Sequence, residues 1–405
     1  MTPEMSKTQR IFRVGQVFRP AAPVDDLELF AGRETQRSEV VGAVAQIGYH
    51  VGLYGERGVG KTSLARVLAS IFDELNLDGF RSVMVNCYTD STFDSLWEDI
   101  FRRLGIESAE FTPEGVRSAL EGLGGRVLVV IDELDRLEDN DALTLLADTI
   151  KTLSDHAVGA TLILVGVATS LDGLIGEHAS IVRNLAQIEM PRMRPDELRG
   201  ILQKGCEHTG LSIETGAEET IVRLSEGLPH YTHLLGYRAA ERAVQDDRDV
   251  ITLGDVGAAI PRAVEGHTIQ NDYHRAIRSS QPGNLYREVL LACALAPKDQ
   301  LGYFTSGQVR EPLEVIAGRR LEIPAFAKHM NEFLSPERGS VVRREGKPRG
   351  YSYRFSDPMM QPYVIMSSLN ARLVTDEQLT AMQERFASVP SVLPQDDPSE
   401  RGQLF

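Results

Sequence analysis

The stretch Gly55-Glu56-Arg57-Gly58-Val59-Gly60-Lys61-Thr62-Ser63 brings glycines, a lysine and two hydroxyl side chains into one short loop. Its spacing fits the phosphate-loop pattern G-x-x-x-x-G-K-[ST]. Small residues let backbone N–H groups converge on a β-phosphate. Lys61 adds a cation for the β and γ oxygens, and Thr62 offers a hydroxyl to Mg²⁺. The apolar VGLY before the loop and the amphipathic SLARVL after it predict strand, turn and helix, with the helix's positive end facing the anion. The expected ligands are ATP or ADP, with Mg²⁺ as companion ion.

A second chemical set lies in RVLVVIDELDRL, Arg126–Leu137. Four branched apolar residues and Leu128 predict a buried strand that delivers Asp132 and Glu133 at its carboxyl end. Asp132 is placed to hold Mg²⁺, and Glu133 to polarise the water that attacks a γ-phosphate. An apolar run ending in Asp-Glu also begins helices; its interval behind a phosphate loop selects the catalytic reading. Glutamate suits a water nucleophile, so the expected reaction is hydrolysis of ATP to ADP and phosphate.

These residues need elements to hold them, and 405 residues suffice for two or three domains. A composition of 42% hydrophobic and 25% charged residues is that of an ordinary soluble globular protein. No apolar run approaches the roughly 20 residues of a membrane span, and nothing at Met1 reads as a signal peptide. Cys87, Cys206 and Cys293 are too scattered for a disulfide framework or metal cluster, so the expected compartment is cytoplasmic, without a membrane. A net charge of −15 argues against a protein that coats nucleic acid over its whole surface, and leaves a local basic patch to be found.

Along the chain, residues 1–25 read as a lead-in with Pro20 and Pro23. Residues 26–192 alternate apolar runs (His50–Tyr54, Ser82–Cys87, Val127–Ile131, Thr161–Val167 and Gln187–Met190) with helical patterns such as Ser63–Leu75 and Phe93–Leu104. That alternation predicts an α/β core with five parallel strands covered on both faces. Residues 193–280 read as an all-α lid, with Thr252 and Asp255 capping one of its helices. Residues 281–373 combine helices with a β-hairpin at Ser340–Phe355, turning at Gly346 and Pro348. Residues 374–405 form an acidic tail, helical at first and then disordered.

Taken together, LFAGRETQ (Leu29–Gln36), GERGVGKTS and the strand ending IDELD resemble the AAA+ P-loop ATPases, most closely the branch shared by STAND signalling ATPases and origin-recognition-type initiators. The resemblance implies that Phe30 and Arg33 lie near the adenine. In TLILVGVATS it implies that Thr169, or its neighbour Ser170, contacts the γ-phosphate and the attacking water. Arg183, in SIVRNLAQIEM, falls where the family carries a finger that enters a neighbour's site, which implies a homo-oligomer. EGLPHYTHLLG (Glu226–Gly236) resembles the branch's lid element and implies that Pro229 and His230 sit near the nucleotide. Initiators tend to carry arginine after that proline; His230 departs from them and leans toward the STAND side.

Residues 285–373 look like a winged helix. Its helices would be LYREVLLACALA, SGQVREPLEVIAG and IPAFAKHMNEFL, and its wing SVVRREGKPRGYSYRF. The wing gathers Arg343, Arg344, Lys347, Arg349 and Arg354 against Glu345, an electrostatic footprint for double-stranded DNA in an otherwise acidic chain. The third helix supplies no arginine, a poor donor set for reading base edges. Two readings follow. One is a nucleotide-controlled switch that oligomerises and engages DNA through the wing. The other is a STAND-like signalling ATPase whose output is assembly with an unidentified protein partner.

Overall fold

The computed structural model describes residues 5–74, 79–168, 183–265, 268–281, 283–299, 302–347 and 350–387. The chain divides into two compact units, Met1–Ala263 and Val264–Phe405.

The first unit is built on a parallel sheet of β1 (His50–Gly55), β2 (Arg81–Asn86), β3 (Val127–Asp132), β4 (Ala160–Val167) and β5 (Leu185–Glu189), in the order β2-β3-β4-β1-β5. Because every pairing is parallel, all carboxyl ends lie along one edge, where open α/β sheets bind ligands. The loop leaving β1 and the acids leaving β3 therefore share that edge. β3 is buried at every position, as its unbroken apolar run requires of a strand covered on both faces. Helices Phe93–Leu104 and Asn140–Asp155 cover one side; Trp97 packs fully buried in a cluster with Val85, Ile131 and Leu164. Helix Lys61–Glu74 contributes the buried Leu64, Val67 and Leu68. β5 begins at Leu185, two residues ahead of the expected run, because Leu185 pairs with His50.

The lead-in holds a helix, Lys7–Val17, opened by a reciprocal Ser6–Gln9 capping box. Beyond its end Phe18 is buried against two glycines of the lid helices Pro195–Thr209 and Pro229–Gln245. A Cβ on Gly236 would lie 2.7 Å from the Phe18 ring, and one on Gly205 would overlap it. The Arg19 amide donates to His233 Nδ1 at 3.3 Å, and burial pushes His233 down to about 4. The lid is not wholly helical. β6 (Ser212–Ile213) and β7 (Val250–Ile251) form a short parallel pair. Thr252 and Asp255 do cap the next helix, with the Thr252 amide donating to Asp255 Oδ2 at 2.9 Å and the Asp255 amide returning to Thr252 Oγ1 at 3.4 Å.

The second unit runs helix Thr268–Ile277, helix Tyr286–Leu295, β8 (Phe304–Thr305), helices Ser306–Ala317 and Ile323–Glu332, β9 (Val342–Glu345), β10 (Ser352–Phe355), then helices Met360–Asn370 and Asp376–Ala387. Its antiparallel sheet has the order β8-β10-β9, over a core that includes Leu290, Phe304, Phe326, Phe333 and Val364. Helix Thr268–Ile277, assigned by its sequence pattern to the lid, belongs here. Tyr273 meets Tyr363 edge-on at 5.4 Å, and Arg338 Nη1 donates to the Ala276 carbonyl at 2.9 Å. The tail's helical part docks through the buried Leu379 and Phe386. Pro348 and residues 388–405 lie outside the described residues. Among the described residues no helix is long and apolar enough to cross a membrane.

Candidate functional site

The loop between β1 and helix Lys61–Glu74 has glycine where its backbone demands it. Gly58 and Gly60 sit at φ 84° and 96°, and any Cβ on Gly55 would collide with the Met190 carbonyl at the end of β5. Lys61 is buried, and its Nζ donates to the carbonyls of Gly55 at 3.0 Å and Glu56 at 2.8 Å. Burial lowers its pKa to about 8, against the opposing pull of Asp135, Asp132 and Glu56. Arg57 is exposed and Val59 buried. The Ser63 hydroxyl accepts from the Val24 amide at 3.1 Å, so the lead-in braces the loop's exit.

From β3, Asp132 reaches this loop. Its carboxylate, buried and with its pKa raised by that burial, accepts a hydrogen bond from the Thr62 side chain and another from the Glu133 amide at 2.8 Å. A hydroxyl and a carboxylate in contact are hard oxygen donors of the kind Mg²⁺ takes together with substrate phosphates and water. Among the described residues no cluster of three or more His, Cys, Asp or Glu offers an all-protein metal cage. Glu133 is exposed with left-handed backbone, φ 55°, and its Oε2 accepts from Arg136 Nη1 at 2.9 Å. Asp135 accepts from the Val167 amide at 2.7 Å and thereby holds the end of β4. Thr169 and Ser170, just beyond, lie outside the described residues. Asp135 stands in IDELD, yet its role is not written there, because it depends on β4 lying beside β3.

Arg33 is buried, and its Nη2 donates to the Val59 carbonyl at 2.9 Å and the Pro191 carbonyl at 2.6 Å. Its left-handed amide, φ 63°, donates to Glu197 Oε1 at 2.8 Å. Arg33 thus braces the loop, the end of β5 and the lid from one point. Phe30 is buried beside it in sequence, and its carbonyl accepts from Lys204 Nζ at 2.6 Å. Pro229 comes within 3.8 Å of where a Gly60 Cβ would stand, so the lid element does meet the phosphate loop. His230 Nδ1 lies 2.8 Å from the Pro20 carbonyl. Arg183 is exposed, two residues before β5.

In the second unit, Arg343, Arg344 and Lys347 are all exposed on the β9–β10 hairpin. Arg344 donates to Asn331 Oδ1 at 3.1 Å and lies 4.2 Å over the Tyr351 ring. Arg354 pairs with Glu345 at 3.9 Å. Arg349 lies outside the described residues.

Residues 48–175, which contain the loop, β3 and its acids, match the family described as AAA domain. The segment is an AAA+ P-loop ATPase domain. ORC1-type DNA replication protein 1 of Archaeoglobus fulgidus is 22% identical over 302 residues, 70% of this chain and 71% of that protein. ORC1-type DNA replication protein 11 of Haloarcula marismortui is 21% identical over 388 residues, 84% of this chain and 87% of that protein. Among solved structures, the Aeropyrum pernix ORC1 protein in complex with DNA shares the fold at TM-score 0.51 and 17% identity, covering 92% of this chain and 100% of that one. The Aeropyrum pernix ORC2 protein, solved as ADPNP–ADP complexes, does so at TM-score 0.52 and 15% identity, over 91% and 98%. The chain is an ATPase. The matched segment places its glycine loop and its acids on the one sheet edge described above.

Proposed function

We propose that this ATPase is a nucleotide-controlled switch that oligomerises and engages duplex DNA, with the second unit acting as a winged helix. The observation that carries the DNA arm is the β9–β10 hairpin. It follows a helix–strand–helix–helix order and presents Arg343, Arg344 and Lys347 to solvent in a chain of net charge −15. Such a cluster binds phosphates through charge and counterion release. The replication-type relatives and the fold shared with a DNA-bound ORC1 protein support this arm over the signalling alternative.

At the site, Lys61 exchanges its carbonyl partners for β- and γ-phosphate oxygens, and the amides of residues 55–63 cradle the anion. Thr62 and Asp132 would hold Mg²⁺, which when bound would offset phosphate charge. Glu133 parts from Arg136 to polarise water, and Thr169 orients that water. Arg183 completes the site of a second copy. Pro229 and His230 carry the state of the loop into the lid, and Phe30 and Arg33 support the wall of the adenine pocket.

The test is fluorescence anisotropy of a labelled duplex of random sequence, titrated in ATP–Mg²⁺ and in ADP–Mg²⁺ at low and moderate salt. Binding that differs between nucleotides and weakens with salt is expected. No binding in either state would remove DNA from the proposal.

A further inference from the structure

Arg192 stands just past β5 and in none of the motifs, yet it joins two of them. Its Nε donates to Glu56 Oε2 at 2.8 Å, and its Nη1 donates to the Glu226 carbonyl at 3.1 Å. Glu56 is the second residue of the phosphate loop, an acid in a loop built for anions. Glu226, left-handed at φ 49°, begins the turn that leads through Gly227 and Leu228 to Pro229 and the lid helix. The attachment is close. The Met193 amide donates to the Gly227 carbonyl at 2.8 Å, and a Cβ on Gly227 would stand 2.7 Å from Arg192 Cβ. The Arg192 and Glu56 side chains are only 23% and 18% exposed, which limits screening by water. The Lys61 ammonium donates to the Glu56 backbone carbonyl, and Arg33 meets the loop at the Val59 carbonyl, so neither of these bonds falls on the Glu56 carboxylate. Arg192 thus pairs directly with the Glu56 carboxylate, and one planar fork reaches both loop and lid.

We propose that Arg192 is a positioning residue for nucleotide binding with two effects. It neutralises Glu56 so that the loop accepts phosphates, and it ties the loop to the lid turn so that nucleotide at the one is felt at the other. The proposal rests on the reading that the phosphate loop holds the nucleotide. A carboxylate stripped of its partner a few ångströms from a di- or triphosphate repels it, and at partly buried sites such repulsion amounts to about tenfold in affinity or more.

The 405-residue chain is titrated with a fluorescent ADP analogue, and hydrogen–deuterium exchange is followed over residues 225–229. Arg192→Ala should weaken the analogue about tenfold. Adding Glu56→Gln to it should restore the affinity of Glu56→Gln alone. Arg192→Lys keeps the charge but loses the fork, so it should bind within about threefold of wild type while losing nucleotide-dependent protection of the turn. If Arg192→Ala does not fold, the conservative pair Glu56→Gln and Arg192→Lys carries the same comparison. A double variant as weak as Arg192→Ala would mean that Arg192 touches the nucleotide itself, and would overturn the proposal. So would full protection of the turn in Arg192→Lys. Failure of the wild type to bind the analogue would instead overturn the reading of the loop on which the proposal stands.

Discussion

The Lys61 ammonium donates to the Glu56 backbone carbonyl at 2.8 Å, in the same loop whose Glu56 carboxylate is held by Arg192. The loop's cation is thus buried and satisfied by backbone, and burial lowers its pKa from 10.5 to about 8. A group with a depressed pKa of this kind is fully charged below about pH 7 and loses its proton as pH rises through 8. Bound phosphate favours the charged form. ADP affinity should therefore fall above pH 8 by up to about tenfold per pH unit. Isothermal titration across this range checks it, with Lys61→Ala as a weak, flat control. A level wild-type profile to pH 9.5 would refute it.

Glu133→Gln keeps the shape of the acid and removes its basicity. ATP should bind as in wild type, while steady-state phosphate release falls by roughly 100-fold or more. Turnover within a few-fold of wild type would take Glu133 out of the chemistry, and would assign its carboxylate to the Arg136 pair alone.

Arg183 is exposed two residues before β5. In Arg183→Ala, nucleotide affinity should hold while hydrolysis falls on the order of 10³-fold, and mixing with Glu133→Gln should restore some activity through mixed assemblies. Equal loss of affinity and turnover would point to packing instead of action on a neighbour.

Replacing Arg343, Arg344 and Lys347 by Gln removes three cations from the hairpin. Duplex affinity should fall, and the slope of log affinity against log salt should flatten by roughly 2 to 3. An unchanged slope would show that DNA is met elsewhere.

Two glycines in the first unit should answer alanine in opposite ways. At Gly205 the new methyl would strike the Phe18 ring, so thermal stability should drop by about 1–3 kcal/mol. At exposed, helical Gly257 the methyl meets nothing within 4 Å, and stability should rise by about 0.5–1 kcal/mol. Melting curves of both variants separate the lead-in's docking from helix propensity.

What the chain's order alone determined is chemistry that fits in one window. Gly55 to Thr62 can make an anion loop because strand, turn and helix are contiguous, and Asp132 and Glu133 end the apolar run that buries β3. The central strands β1, β3 and β4 were legible for the same reason, since a strand covered on both faces is apolar nearly throughout, whereas the edge strands β2 and β5 show shorter apolar runs with exposed positions. The lead-in carries a local helix signal as well, the Ser6–Gln9 capping box that opens helix Lys7–Val17 ahead of Pro20 and Pro23. Tertiary structure alone decided the rest. Only the sheet order sets Asp135 against Val167, and only the lid's closeness to β5 lets Arg192 join Glu56 to Glu226. It also spends Arg33 on two carbonyls and moves helix Thr268–Ile277 into the second unit. Glu56 and Arg192 stand 136 positions apart, and Arg33 and Pro191 stand 158 apart. No local pattern announces such a pair, because a charge finds its partner through space after the backbone has settled where each one points.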